Sequence, residues 1–278
     1  MTSYATFATA SAICLVALLL LQLGTYVVGR RIGRFNIVDV TWGAGFAVVA
    51  LVVVALRGAG LGGEVGLDWH VLAIAAAAIV WGARLSVHVG HKTAGKGEDP
   101  RYVEMLERSG GYDPQGNPRA SVILRKVFVL QGAIQWVVSL PLQALVVSEA
   151  PAGAFAVLAL VGLGIWLLGF VFEAVGDAQL AAFKNDPNRG RIMDRGLWSW
   201  TRHPNYFGDA CVWWGIWLAA SAAGPAAWTF VAPMLMTFLL VWGSGARLLE
   251  KTMSQRPGWD AYARRVSFFL PRPPKREG

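Results

Sequence analysis

The sequence predicts an all-α membrane protein, a polytopic bundle of about seven transmembrane helices, and three observations predict it. Hydrophobic residues make up 55% of the chain and charged residues 15%, with a mean hydropathy of +0.46, whereas an ordinary soluble domain carries roughly 25% charged residues. Apolar runs long enough to cross a hydrocarbon core of about 30 Å recur from one end to the other. Lys and Arg are confined, with one exception, to alternate loops.

The predicted spans are 4–28, 36–57, 68–90, 122–147, 152–175, 205–223 and 226–249. The first has neither a basic n-region nor a small-residue cleavage pattern and reads as a retained helix. The second opens with Asn36 and Asp39, and the third ends on a face bearing Arg84, His88 and His91. Between spans three and four lies the longest extramembrane stretch, 92–121, whose Gly and Pro residues punctuate a short amphipathic helix at 100–108; a lid and a plain solvated loop are both open readings. Span five continues through Glu173 and Asp177 to Lys184, spaced by four and seven residues and so on one helical face. Span six begins at Pro204, a residue suited to a first helical turn, with Asn205 and Asp209 one turn apart. No repeat, low-complexity segment or linker is evident, so residues 1–278 read as a single transmembrane domain.

The basic residues orient this bundle. Arg30, Arg31 and Arg34 follow span one, eight more fall between Arg84 and Lys126, five between Lys184 and Arg202, and eight between Arg247 and Arg276, which leaves Arg57 alone on the opposite face. The positive-inside rule places the N-terminus outside and the C-terminus in the cytoplasm. Topology also accounts for the net charge of +8, and the aromatics lie in spans instead of alternating with a basic patch, so no nucleic-acid partner is expected.

Several function classes drop out. Cys14 and Cys211 fall within spans and suggest neither disulfide nor metal, and the four histidines form no HExxH pair, so no metal site is expected. Gly58, Gly60 and Gly63 match G-x-G-x-x-G but follow an apolar helix and open no βαβ unit.

What remains is a set of ionisable residues inside predicted spans, each costing roughly 2.5–3.5 kcal/mol at the centre of a bilayer on insertion scales. Asp39, Arg84, His88, Glu173, Asp177, Asp209 and, at a span end, Glu250 form this set; all but the deeper Glu173 can lie in the cytoplasmic halves of their helices, which predicts one polar chamber open to the cytoplasm. Plain interhelical hydrogen bonding is the structural alternative. The segment 184–202 packs Lys184, Arg191, Arg195 and Arg202 beside His203, Asn205 and Tyr206. A helix starting at Pro204 points free N–H groups toward those cations, which suits the phosphates of a dinucleotide such as NADPH. Glu173, Asp177, Asn205 and Asp209 would then hydrogen-bond its ribose or carboxamide groups.

The tract Gly196-Leu-Trp-Ser-Trp-Thr-Arg-His-Pro-Asn-Tyr-Phe-Gly-Asp209, the upstream Glu173-Ala-Val-Gly-Asp-Ala-Gln-Leu-Ala-Ala-Phe-Lys184, Trp81-Gly-Ala-Arg-Leu85, Glu98-Asp-Pro-Arg-Tyr102, and Ser244-Gly with Glu250 resemble a bacterial branch of the steroid 5-alpha-reductase-like membrane proteins. The likeness extends from about residue 36 to 270 and is most specific in 173–209. It implies a bundle of about seven helices in the bacterial cytoplasmic membrane, with a cofactor-binding part at 173–270 that faces the cytoplasm, holds NADPH and reduces a carbon–carbon double bond conjugated to a carbonyl in a lipid. Asp177, Lys184, Asn205 and Asp209 match cofactor-contacting positions, Tyr206 lies in the same motif, and Arg202 and His203 match its sterol-reductase version. The family's carbonyl-polarising Glu and Tyr have no clear counterpart in the N-terminal half, where Asp39, Arg84 and His88 are the nearest candidates. Tyr102, His88 and protonated Asp39 stay open as the proton donor. A lipid substrate and membrane lipids are the expected partners, with no obligate protein partner evident.

Two other readings compete. A membrane methyltransferase using S-adenosylmethionine fits the short Pro-Asn-Tyr-Phe-Gly motif, which isoprenylcysteine carboxyl methyltransferases share, but that cofactor carries no phosphate. A non-enzymatic lipid-binding or transport protein fits the intramembrane charges, yet these crowd one side instead of the midplane.

Overall fold

Hydropathy and length divide the chain into helices before any long-range contact forms. A computed structural model describes residues 3–62, 66–243 and 245–274; Gly63 of the glycine motif, Ser244, Lys275 and Arg276 lie outside them. The long helices are α1 (Ser3–Ile32), α2 (Val38–Gly58) and α3 (Trp69–Thr93). The short α4 (Pro100–Arg108) and α5 (Ala120–Ile123) follow, and a π-helical stretch, Leu124–Val129, leads into α6 (Leu130–Val138) and α7 (Leu140–Ala144). Then come α8 (Gly153–Asn185), α9 (Pro204–Ser221), α10 (Val231–Phe238), a second π-helical stretch, Leu239–Gly243, α11 (Ala246–Met253) and α12 (Trp259–Arg265).

Among the described residues, six helical runs are long and apolar enough to cross a bilayer: α1, α2, α3, Ala120–Val138, α8 and Ala227–Met253. The chain is a polytopic membrane protein. The predicted span at 205–223 is present as α9, 18 residues long. It falls short on apolarity because Pro204, Asn205, Tyr206 and Asp209 occupy its first two turns. Predicted span four stops at Val138 instead of 147 because Ser139, with Pro141 just beyond it, ends the helix. The predicted helix at 100–108 forms as α4, N-capped by Asp99, whose carboxylate accepts from the Arg101 N–H at 2.9 Å.

The chain forms two compact units, Met1–Ala156 with Ala220–Thr229, and Val157–Ala219 with Phe230–Gly278. In the first, α1 buries a stripe of Thr6, Ala10, Cys14, Leu18, Gln22 and Tyr26, four residues apart, and turns Val16, Leu20, Leu23 and Val27 outward. Its partner α6 runs antiparallel to it: Gln22 donates to Gln135 at 2.7 Å and the Trp136 indole donates to the Ser11 carbonyl at 3.1 Å, while Gln135 donates to the Trp42 carbonyl of α2 at 2.8 Å and Ser11 to Gln143 of α7 at 2.7 Å. Such bonds between membrane helices contribute about 0.6–2 kcal/mol each. Helices α2 and α3 cross at Gly43 and Gly82, where a Cβ on either would lie 2.3 Å from the other's carbonyl oxygen.

The lone basic residue of the opposite face is absorbed in this unit. Arg57, 1% exposed, donates to the Leu145 and Ser148 carbonyls at 3.0 and 2.5 Å and pairs with Asp68 at 3.0 Å. Asp68 in turn caps α3 through the Val71 N–H. The exception to the charge rule is therefore a clamp that satisfies the carbonyls of the broken end of span four.

The second unit is organised by glycine. Gly162, Gly169 and Gly176 recur every seven residues on α8, and Gly208 and Gly215 repeat that interval on α9. A Cβ at Gly208 would lie 2.5 Å from the Glu173 nitrogen, one at Gly169 2.5 Å from the Gly208 oxygen, and one at Gly215 2.4 Å from the Trp166 nitrogen. Backbone therefore touches backbone along the whole seam, the contact small residues permit where no hydrophobic effect drives helices together.

Candidate functional site

The glycine seam fixes which polar side chains of α8 and α9 meet. Glu173, Asp177 and Asp209 are 3%, 8% and 8% exposed. Because Gly176 lets the start of α9 approach, with Pro204 and the Asn205 nitrogen as its nearest neighbours, the Asn205 amide donates to Asp177 at 3.2 Å. One of the amide's two donors is used in that bond. Sequence reasoning joined these residues through the motif; the structure joins them through contact.

The loop leading into α9 is stitched on all sides. The Trp198 indole donates to the Gly176 carbonyl at 3.0 Å, Gln179 accepts from the Leu197 N–H at 3.0 Å, and Tyr262 donates to the Trp198 carbonyl at 2.8 Å. The C-terminal segment adds the Arg202 N–H to the Ser267 carbonyl and the Thr201 hydroxyl to the Phe269 carbonyl, at 3.0 and 2.8 Å. Burial raises the Tyr262 phenol above its ordinary range, so it remains a donor. This stitching makes the orientation of Pro204 and Asn205 a property of four chain segments.

Arg202, His203 and Glu250 form a second cluster in the same unit. Glu250 Oε1 lies 2.8 Å from Arg202 Nε and 3.0 Å from His203 Nε2. Arg202 also donates to the Ala263 carbonyl at 2.9 Å and lies over the Trp259 and Phe268 rings at 5.8 and 5.4 Å. His203 is buried and stacks on Tyr206, with centroids 5.8 Å apart and planes 10° apart. The motif's Arg-His pair thus braces the start of α9 against α11 and α12.

The remaining predicted cations are exposed: Lys184 at the end of α8, Arg191 and Arg195 in the loop. Arg191 borders a cleft of about 290 Å³ together with Asp194, Tyr262 and Arg265, where Arg265 pairs with Asp194 at 2.9 Å.

The first unit holds the other candidates. The Tyr102 hydroxyl donates to Asp39 Oδ1 at 2.6 Å, 63 positions away in sequence. Glu98 holds α4 against the start of α2, accepting from the Phe35 and Asn36 N–H groups at 2.5 and 2.8 Å. Leu106, the buried residue of α4, enters a cluster with Tyr26, Phe35, Val38, Ile123 and Phe128. Burial, and then the neighbouring Asp39 carboxylate, push the Tyr102 phenol well above its ordinary value. The bonded and charged Arg101 side chain holds Asp99 below the usual carboxylate range. Arg84 and His88 stand half-buried one turn apart on α3. No group of three or more His, Cys, Asp or Glu placed to hold a metal ion occurs among the described residues.

A family model described as a protein of unknown function, DUF1295, matches residues 25–266. The chain belongs to the DUF1295 family. The DUF1295 match starts within α1 and ends one residue beyond α12, so it takes in Asp39 and Tyr102 as well as the α8–α9 seam and the Glu250 cluster. Neither a curated protein nor a solved structure matches the chain.

Two features of the site escaped sequence reasoning. The seven-residue glycine interval on α8 and α9 is visible in the sequence as a period and signals a close helix pair. The roles of Gln179, Trp198 and Tyr262 leave no comparable signal, because each depends on a partner 18 to 64 positions away.

Proposed function

We propose that this membrane protein is a reductase that uses NADPH to saturate a carbon–carbon double bond conjugated to a carbonyl in a lipid-like substrate. The bundle would lie in a bacterial cytoplasmic membrane, N-terminus outside, with the cofactor site toward the cytoplasm. The observation that carries the reading is the α8–α9 seam, where Asp177 and Asn205 meet at 3.2 Å in a unit whose α8 end and following loop carry exposed Lys184, Arg191 and Arg195. Its donor set fits the cofactor: cations for phosphate, an amide and carboxylates for ribose hydroxyls and carboxamide, and orphan N–H groups in the first turn of α9. Lys184, Arg191, Arg195, Asn205, Asp177, Asp209 and Glu173 would hold it, and when bound it supplies the hydride. Arg202, His203 and Glu250 act one layer back, fixing the helix start that carries Asn205.

The chain's own chemistry is proton delivery and exclusion of water. Tyr102, kept protonated by burial and by Asp39, is the candidate proton donor of the first unit, and its single O–H, which donates to Asp39, would turn from that carboxylate to serve a developing enolate oxygen. A phenol whose acidity is suppressed still stabilises that oxygen by hydrogen bonding. Exclusion of water, which would otherwise compete for proton and hydride, would fall to the membrane spans around a bound substrate.

One observation favours a second reading. Arg202, counted among the cations for phosphate, is engaged with Glu250 and the Ala263 carbonyl, which weakens the phosphate argument and keeps an S-adenosylmethionine-dependent methyltransferase in play. Thermal unfolding of the detergent-purified protein with NADPH, NADH and S-adenosylmethionine separates the two, since a ligand at 100 times its Kd adds about 2.7 kcal/mol. Stabilisation by NADPH supports the reductase; stabilisation by S-adenosylmethionine alone replaces it.

A further inference from the structure

The last span carries a cation that the cofactor site does not use. Phe238 and Trp242 stand one turn apart with rings stacked at 6.1 Å and 21°, and they are 54% and 53% exposed. Trp242 falls in the π-helical stretch Leu239–Gly243, a local widening that re-aims side chains and recurs at functional positions. Helix α11 then brings Arg247 over the Trp242 ring, its guanidinium carbon 5.6 Å from the Trp242 centroid and 5.9 Å from that of Phe268. Ring-face contacts of this kind hold the arginine in place while leaving its N–H fork for hydrogen bonding.

Charge around Phe268 is unbalanced. Arg202 lies against the same ring at 5.4 Å and has Glu250 as its counter-ion, a carboxylate it shares with His203. Arg247 is exposed and, among the described residues, has no carboxylate within ion-pair distance. Lys251, one turn further along α11, is also exposed and adds to the local positive potential. Two guanidinium groups on one ring with a single carboxylate leave the outer one suited to an anion from outside the protein.

We propose that Arg247, backed by Trp242 and Phe268, binds the phosphate of an anionic phospholipid whose acyl chain lies along Trp242 and Phe238. The guanidinium fork matches phosphate oxygens bidentately. Tryptophan and arginine toward the end of a span are at home beside headgroups, and the exposed aromatic pair offers apolar surface to a chain. A free phosphate ion would satisfy the guanidinium but make no use of the aromatic pair.

The test uses the full-length protein in neutral detergent, with native mass spectrometry after exposure to phosphatidylglycerol or phosphatidylcholine, and thermal unfolding with phosphatidylglycerol or inorganic phosphate. The wild type retains phosphatidylglycerol over phosphatidylcholine and is not stabilised by inorganic phosphate. R247Q retains phosphatidylglycerol about fivefold less well, the factor that corresponds to roughly 1 kcal/mol per basic residue near an anionic surface. W242L, which keeps the charge, also weakens retention and supplies the readout should R247Q fail to fold. Equal retention by wild type and both variants overturns the proposal. Stabilisation by inorganic phosphate as strong as that by phosphatidylglycerol overturns it too, by assigning the site to a free anion.

Discussion

The Tyr102 hydroxyl donates to Asp39 at 2.6 Å, tying the amphipathic helix α4 to the first turn of α2 across 63 positions of chain. Glu98 makes the second tie by accepting from the Phe35 and Asn36 N–H groups. The segment between α3 and α5 is therefore seated by two carboxylates, one from each side of the junction.

If Tyr102 is the acid, Y102F lowers turnover by about 10²–10⁴-fold while the NADPH-induced thermal shift stays at the wild-type size, and D39N lowers turnover with a changed pH profile. Steady-state rates and thermal shifts on the same preparations check both. Loss of the shift along with the rate would make the pair structural.

The same phenol has a stability signature. Its folded pKa is raised above the ordinary value of 10, so the unfolded chain ionises it first. Its contribution is complete below about pH 10 and declines as the pH rises from there toward the folded value. Wild-type stability should fall relative to Y102F as alkaline unfolding passes about pH 10, and parallel curves would contradict the assignment.

The glycine seam predicts an asymmetry between glycines on it and off it. G208A forces a Cβ to 2.5 Å from the Glu173 nitrogen, which no side-chain rotation relieves, and should cost about 1–3 kcal/mol. Gly164, on α8 but off the seam, has nothing within 4 Å of a Cβ, so G164A should be neutral or stabilising by up to about 1 kcal/mol through helix propensity. Thermal unfolding of the two variants side by side measures the contrast.

Arg57 should be among the least replaceable residues of the first unit. R57A leaves the Leu145 and Ser148 carbonyls and Asp68 without their partner, and breaking a buried ion pair from one side costs about 3–5 kcal/mol. Loss of folded protein on size-exclusion chromatography is the expected outcome, and a variant indistinguishable from wild type would show that water replaces the clamp.

Lys184 and Arg202 should part company. K184Q should weaken NADPH more than NADH, read as two dissociation constants, because an exposed cation suits the extra phosphate. R202Q should instead lower thermal stability, by more than the roughly 1 kcal/mol of an exposed pair and less than the roughly 3–5 kcal/mol of a buried one. Arg202 and Glu250 are 13% and 21% exposed. Equal loss of both nucleotides in K184Q would remove the phosphate argument.

Most of the helical layout was legible in the residues themselves. A bilayer demands apolar runs of a given length and internal satisfaction of every backbone group, so hydropathy alone locates α1, α2, α3 and α8. Local chemistry does the same for Pro204 at the start of α9 and for Asp99 and Pro100 at the start of α4. The acidic and amide residues of 173–209 could likewise be grouped by helical spacing, because positions four and seven apart share a face whatever the rest of the chain does.

Partners were another matter. Asp39 could be named as a candidate acid but not joined to Tyr102, Arg202 could be counted as a free cation but not seen to be held by Glu250, and Arg57 could be noted as an exception but not as a clamp. Each of those pairings closes a loop of 11 to 91 residues, and no periodicity in the sequence records which loop closes on which. Side-chain spacing along a helix is set by backbone geometry within a turn or two, whereas the meeting of two helices is set by how closely their surfaces approach. In this chain, glycines at 43 and 82 and along the α8–α9 seam permit that approach, and it comes into being only when the helices pack.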